Sequence, residues 1–259
     1  MKKTILAISI LWLFTLASCV KAGDPISQTF STKGDYNELR IEDAFDVIVS
    51  DTVDQIVITA GENVMPYVIV KENGKTLNIY LKGWHSNRNS EMKVILPYNA
   101  SVTKVDLSGA SDFHTDFGLA GTKVELDLSG ASGFYGNIVA DEIDIELSGS
   151  ADFKGNVTAT ELELNFSGSS DATIEGQVSE LDIDLSGAST IAKTVNGNQY
   201  ALSCQTCEGD MSGSSDAYIH CDGSISVDLS GSSDLYYTGR ASTRGCSTSG
   251  SSNVIHDSL

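Results

Sequence analysis

The feature that most constrains this chain is a Ser-Gly pair that returns eight times at nearly fixed spacing. The pairs begin at Ser108, Ser129, Ser148, Ser167, Ser186, Ser212, Ser230 and Ser249, in steps of 21, 19, 19, 19, 26, 18 and 19 residues. A period near twenty with few interruptions belongs to a stack of like units, each unable to bury its apolar face alone.

Aligned on the Ser, the position before it holds Leu107, Leu128, Leu147, Phe166, Leu185, Met211, Leu229 and Thr248. Three before it stand Val105, Leu126, Ile145, Leu164, Ile183, Gly209, Val227 and Cys246. Five after it stand Phe113, Phe134, Phe153, Ala172, Ile191, Ala217, Leu235 and Val254. Apolar residues two apart mean strands with one face inside, and no window keeps helical spacing. Each unit therefore reads as strand, tight corner, strand. A third short strand is expected around Phe117, Ile138, Val157 and Val195. Gly suits the corner because it permits φ above zero and close backbone approach. The Ser of each pair is expected to pass hydroxyl hydrogen bonds up the stack.

The expected fold class is all-β: a parallel β-helix, or solenoid, of ~19-residue rungs with an N-terminal β cap. Rungs about 4.8 Å apart make a stack roughly 35 Å long. Residues 104–259 form the repeat region, and residues 29–103 form the cap, which covers the open first rung. Within the cap, Asn73-Gly74 between β-rich runs predicts a hairpin, and residues 84–91 read as a polar loop. The 26-residue step predicts an outward loop near Asn196-Gly197-Asn198. The last unit has little left to cover its own end, so a homo-oligomer contact there is an open reading.

Residues 1–18 read as a lipoprotein signal peptide: Lys2 and Lys3, an apolar run, then Leu16-Ala17-Ser18-Cys19. Cys19 is the expected lipidation site, and residues 19–28 are the expected tether. The apolar run is too short to span a bilayer. Several acyl chains on one N-terminus hold a protein to a membrane, where a single chain does not. Val20 follows the Cys, with no Asp to signal inner-membrane retention, so the location expected is the outer membrane.

Four cysteines remain in an oxidising compartment: Cys204, Cys207, Cys221 and Cys246. Cys204 and Cys221 hold near-equivalent positions on adjacent rungs, within reach of a disulfide, and form the expected pair. Cys207 and Cys246 fall two rungs apart on inward columns and read as small buried hydrophobes. A redox pair at Cys204-Gln-Thr-Cys207, or a zinc site of all four, are the alternatives.

Formal net charge is -19; without Lys2 and Lys3, 14 bases face 35 acids, a balance of -21. Nucleic acid does not suit such a surface. Asp106, Asp127, Glu146, Asp184, Asp210 and Asp228 form one acidic column and Asp112, Asp152, Asp171, Asp216 and Asp234 another. Calcium could relieve their repulsion, yet the glycine-aspartate nonapeptide of calcium-binding repeats is missing, and a solvated surface is the simpler reading. No catalytic constellation, metal ligand set or cofactor site is read. His85, His114, His220 and His256 are scattered, and bases are scarce. Tyr135, Tyr218, Tyr236 and Tyr237 are the outward aromatics expected to mark a contact surface.

The lipobox, the run Met92-Lys93-Val94-Ile95-Leu96-Pro97 and the repeated Leu-Ser-Gly-Ser/Ala-Ser-Asp resemble the head-GIN-domain family of adhesin-like lipoproteins, common in Bacteroidetes. That resemblance implies a right-handed parallel β-helix in the cell envelope and carries over no catalytic residue. The function expected is a non-enzymatic envelope lipoprotein, attached to the membrane through its N-terminal lipid, whose flank binds a glycan or protein. The alternative is a carbohydrate-active enzyme, of the polysaccharide lyase or glycosidase kind.

Overall fold

In-register parallel pairing of successive repeats dominates the fold. In this computed structural model, residues 23–83, 91–195 and 197–258 are described. The protein is all-β; among the described residues the one helical element is a 3-10 turn, Met65–Tyr67. Cys19, the signal segment and nearly all of the expected 84–91 loop lie outside the described residues.

One ladder starts at Lys104–Leu107 and runs through Leu119–Leu128, Ile138–Leu147, Asp152–Phe166, Asp171–Leu185, Leu202–Met211, Asp216–Leu229 and Ser247–Thr248, every pair parallel. A second starts at Asp112–His114 and runs through Gly133–Tyr135, Asp152–Phe166, Asp171–Leu185, Thr190–Ile191, Asp216–Leu229, Asp234–Thr238 and Asn253–His256. The columns read from the sequence are the register partners: Leu107 faces Leu128, and Phe113 faces Phe134.

The corners join the two ladders. Each Ser-Gly glycine has positive φ, between 76° and 82°. From Gly130 onward each also lies on the glycine below it, so a Cβ on Gly130, Gly149 or Gly168 would collide with the preceding glycine's carbonyl oxygen. That carbonyl accepts the N–H two residues beyond the next corner's Ser, as from Ser150 to Gly130 at 2.7 Å. Backbone pairing therefore continues around the bend.

The expected hydroxyl bonds run along the stack, with Ser129, Ser186 and Ser249 donating to the Leu107, Phe166 and Leu229 carbonyls at 3.4, 3.3 and 3.4 Å, and a second hydroxyl closes the corner. It belongs to the serine three residues later, which is buried: Ser132, Ser170, Ser189, Ser215 and Ser233. Ser132, Ser189 and Ser233 donate back to the carbonyls of Ser129, Ser186 and Ser230 at 2.8, 2.7 and 2.9 Å. A buried hydroxyl needs a partner, and the local carbonyl is nearest.

Inward columns fill the interior. Phe113, Phe134 and Phe153 stack with ring centroids 5.5 and 5.7 Å apart and planes within 9°. Such ring pairs contribute about 0.5–1.5 kcal/mol each beyond the area they bury.

The N-terminal region departs from the sequence reading in two ways. First, the ladders extend into it. Glu38–Ile41 pairs in parallel with Lys104–Leu107, and Phe45–Ser50 with Asp112–His114. Glu42-Asp43 takes the place of Ser-Gly: Asp43 has φ 79°, and its carbonyl accepts the Ala110 N–H at 2.6 Å. Asp tolerates the left-handed region better than most residues. Thr76–Leu81 and Met92–Pro97 add one more parallel layer. Beyond it the pairing is antiparallel: Val68–Asn73 on Thr76–Leu81, Ile56–Gly61 on Met92–Pro97, and Pro25–Phe30 on Ile56–Gly61. The sheet is therefore mixed. The Asn73-Gly74 hairpin forms, with Gly74 at φ 63°.

Second, the expected 19–28 tether is shortened, because the chain is already a strand from Pro25. All but half-buried Phe30 are exposed, and Pro25 and Ile26 stand side by side before a polar run, so the strand carries no inward alternation to read.

Two irregularities of spacing also resolve. The extra two residues of the 21-residue step lie between Phe113 and Leu119, so Leu119, not Phe117, pairs with Ile138. Phe117 is pushed outside, 42% exposed, and stacks on Tyr98 at 4.7 Å. The long step builds a hairpin, Thr194–Val195 with Asn198–Gln199, in place of the loop expected there; Asn196 itself lies outside the described residues.

Phe134→Ala should lower unfolding stability by about 3–5 kcal/mol, since a ring held between two rings leaves an unfilled space. Gly149→Ala should cost at least about 1–3 kcal/mol although it removes no contact, through the positive φ and the collision of its Cβ with the Gly130 carbonyl. Urea titrations of both variants against the parent check these values.

Candidate functional site

The second ladder presents an outward column six residues after each Ser. Ile48, His114, Tyr135, Lys154 and Thr173 are successive register partners along it. Two positions further on stand Asp116, Asn137, Asn156 and Glu175. Between the two columns lie Gly136 and Gly155, which leave the wall bare. A Cβ on Gly155 would strike the Gly136 carbonyl, so the glycine is required by close packing as well as by the hollow it leaves.

The result is an open groove of about 460 Å³. That is within the roughly 300–1,000 Å³ range of ligand pockets. One wall is aromatic: His114 and Tyr135 stack at 4.5 Å with planes 7° apart, and His114 Nε2 lies 3.7 Å from Asp46. The other wall is amide-rich, and the Asn137 side-chain carbonyl accepts the Asn156 N–H at 3.0 Å. The inserted hairpin forms the far end, where Asn198 donates to Glu175 at 2.9 Å and buried Val195 contributes an apolar edge. The groove spans three repeat steps, about 14 Å.

Two charge features give the groove its chemistry. Burial, then the carboxylates of Asp112 and Asp152, push the Tyr135 phenol above its ordinary value, so it stays a hydrogen-bond donor. Lys154 lies exposed on the wall, and among the described residues it makes no ion pair. Of the four expected aromatics, Tyr135 alone lines this groove.

Two of the others belong to a separate cluster. Tyr218 and Tyr236 stack at 4.6 Å, with Lys193 5.7 Å from the Tyr218 centroid and 5.2 Å from that of Tyr200. Lys193 pairs with Asp257 at 2.9 Å, and the Tyr200 hydroxyl donates to the same carboxylate. Its charged groups are already matched. Tyr237 is only 9% exposed and stacks on His256, so the expectation that it faces outward is corrected. The sequence placed Tyr237 one residue from an outward Tyr, and strand alternation turned it in.

The cysteine expectations meet the structure at close range. Cys204 and Cys221 are direct register partners on neighbouring parallel strands, both buried thiols. Cys207 is buried, while Cys246 is half-buried and donates to the Ile225 carbonyl at 3.4 Å. Cys204 and Cys207 share one extended strand, Leu202–Met211, and so lack the helix N-terminus that activates a redox pair. Among the described residues, no group of three or more His, Cys, Asp or Glu is arranged to hold a metal ion.

The family model described as "Putative auto-transporter adhesin, head GIN domain" matches residues 35–241. The chain belongs to this family. Among solved structures, a "putative adhesin" from Parabacteroides merdae matches with TM-score 0.76 at 20% identity, covering 92% of this chain and 99% of that one. A "putative adhesin" from Parabacteroides distasonis gives 0.71 at 20% identity, over 91% and 95%. A "putative lipid binding protein" from the same species gives 0.64 at 18% identity, over 92% and 99%. At these identities the likeness is one of fold. No curated protein matches the chain. Among the described residues, no helix of this head-GIN protein is long and apolar enough to cross a membrane.

Its first ladder carries an acidic outer face. Asp106, Asp127, Glu146, Asn165, Asp184, Asp210 and Asp228 are register partners, and a second column of Lys104, Glu125, Asp144, Glu163, Asp182 and Glu208 runs beside them. The bases gather at one end, where Arg40 pairs with Asp106 at 2.8 Å, Lys104 with Glu125 at 2.7 Å and Lys123 with Asp144 at 2.7 Å. Further along, among the described residues no base pairs with these columns, although Asn165 donates to Glu163 at 2.7 Å and Ser247 to Asp228 at 2.6 Å. Burial, then Glu208 and Glu163, raises Asp182 above the usual carboxylate range. Asp127, Asp152 and Asp216 are raised likewise, by burial and then by Asp106, Asp171 and Asp234.

A raised carboxylate binds its proton more tightly folded than unfolded, so stability grows as pH falls through the folded value and is lost as pH rises above it. Glu125, lowered mainly by its hydrogen bond from Lys104, acts in the opposite sense only below the usual carboxylate range. The thermal midpoint should therefore rise as pH falls from neutral toward the ordinary carboxylate value, about 4. Asp182→Asn should raise the midpoint at neutral pH and flatten that rise; calorimetry across the range checks both.

Proposed function

We propose that this chain is a non-enzymatic, lipid-anchored envelope lipoprotein that binds a glycan along the glycine-floored groove. The observation that carries the reading is the groove: a Tyr-His aromatic wall, an unpaired lysine and an amide wall over a bare backbone floor. Aromatic rings offer rigid apolar area at low entropic cost, while Asn, Thr and Lys supply directional partners for hydroxyls. A span of about 14 Å suits a short oligosaccharide rather than a single sugar. Family membership supports an adhesin-like role.

The lipobox at Leu16-Ala17-Ser18-Cys19 supports lipidation at Cys19 and attachment to the outer membrane. The ladders are read as coils of a right-handed parallel β-helix, the hand that parallel crossovers take almost without exception. The antiparallel strands at the N-terminal end are read as its cap, which removes open edges there. The acidic face is read as solubilising surface.

Screening the purified chain against arrayed oligosaccharides tests this reading. Tyr135→Ala and Lys154→Ala should each weaken retention about tenfold, about 1.4 kcal/mol, with thermal midpoints unchanged. Absence of glycan retention, or retention indifferent to both variants, would refute it. Release of shortened sugars during the same screen would turn the reading toward a carbohydrate-active enzyme.

A further inference from the structure

We propose that Cys204 and Cys221 close a disulfide across neighbouring parallel strands while the chain folds against a small-molecule disulfide oxidant. The two are register partners, with 3% and 0% of their surfaces exposed. Parallel neighbours stand about 4.8 Å apart, within the Cα separation that a disulfide accepts.

The position also has a structural purpose. Just upstream, the inserted hairpin interrupts the repeat, and the chain must re-enter the ladder in register. Immediately after Cys204 the register shifts: Cys204 faces Cys221, seventeen residues on, whereas Thr206 faces Ser224, eighteen on. A shift of one residue is where a strand slips most easily, because slipping exchanges its two faces. A covalent link at the last pair before the shift fixes which register is taken.

The chemistry suits the same pair. The Cys204 S–H, pointed at its neighbour, together with the Gly223 and Ser224 backbone, draws the Cys221 thiol down to about 7 despite burial. The same contact, with burial, pushes Cys204 up. Either thiol, as its thiolate, can open the exchange while the strands are still apart, and the steps are the same from each side. From Cys221, the thiolate attacks one sulfur of the oxidant and expels the other as a thiolate. The Cys204 sulfur, losing its proton, then attacks the Cys221 sulfur and expels the second half of the oxidant. Two S–H bonds are lost and one S–S bond forms; the oxidant's S–S bond becomes two S–H groups. Because both sulfurs are buried once the strands close, the exchange accompanies folding. Cys207 stays a thiol: burial holds it well above its ordinary value.

The test refolds reduced full-length chain from denaturant in a glutathione redox buffer, then alkylates under denaturing conditions and maps peptides. The expected product is lighter by two hydrogens, with the Cys204 and Cys221 peptides joined and Cys207 and Cys246 alkylated. Adding a reductant should lower the thermal midpoint of this product by several degrees. It should leave that of the Cys204→Ser/Cys221→Ser double variant unmoved. Four alkylated thiols, or a map joining any other pair among these four, would overturn the proposal. So would equal reductant sensitivity of parent and double variant.

Discussion

Each corner of this protein rests on the carbonyl of the corner beneath it, and the rest of the structure follows from that contact. A glycine at positive φ lets the backbone turn; the missing Cβ lets the next glycine come close enough for hydrogen bonding to continue around the bend. With pairing unbroken, like residues are forced over like. Phe113, Phe134 and Phe153 stack inside because the corners hold them in step. The acids of the outer face are stacked by the same rule, and there it opposes stability. The fold tolerates that cost because inward columns gain area at every repeat while outer carboxylates are partly solvated.

Function, on this view, arises where the repeat is relaxed. The groove exists because Gly136 and Gly155 leave the backbone bare on adjacent repeats, and because an insertion builds an end wall. Neither change disturbs the inward columns. A stack that is rigid inside can vary its flank without refolding, the usual division between scaffold and binding surface.

Much of this was legible in the amino-acid order. The inward columns and the corner glycines follow from spacing, since period-two alternation and a regular repeat leave one register; Cys204 and Cys221, eight and nine residues before their serines, were only near neighbours by spacing, and the shift after Cys204 sets them opposite. The extension of the ladders to Glu38–Ile41 and Phe45–Ser50 was not legible, because Asp43 adopts by tolerance the conformation that glycine adopts by freedom. Pro25–Phe30 was hidden for another reason: an edge strand exposed almost throughout has no inward alternation. The groove was only half visible. Tyr135 announced itself, but Gly136 and Gly155 look like ordinary spacers until the register places one on the other. Tyr237 shows the reverse error, an aromatic read as outward from its type when strand parity points it in.

Removing one whole repeat tests the central claim most directly. Residues 152–170 can be excised so that Ala151 joins Asp171, the register partner of Asp152. Since the corners are equivalent, the shortened chain should keep its β-sheet circular dichroism and unfold cooperatively, whereas excising residues 152–161 should leave it unfolded. Equal behaviour of the two deletions, both folded or both collapsed, would contradict the account.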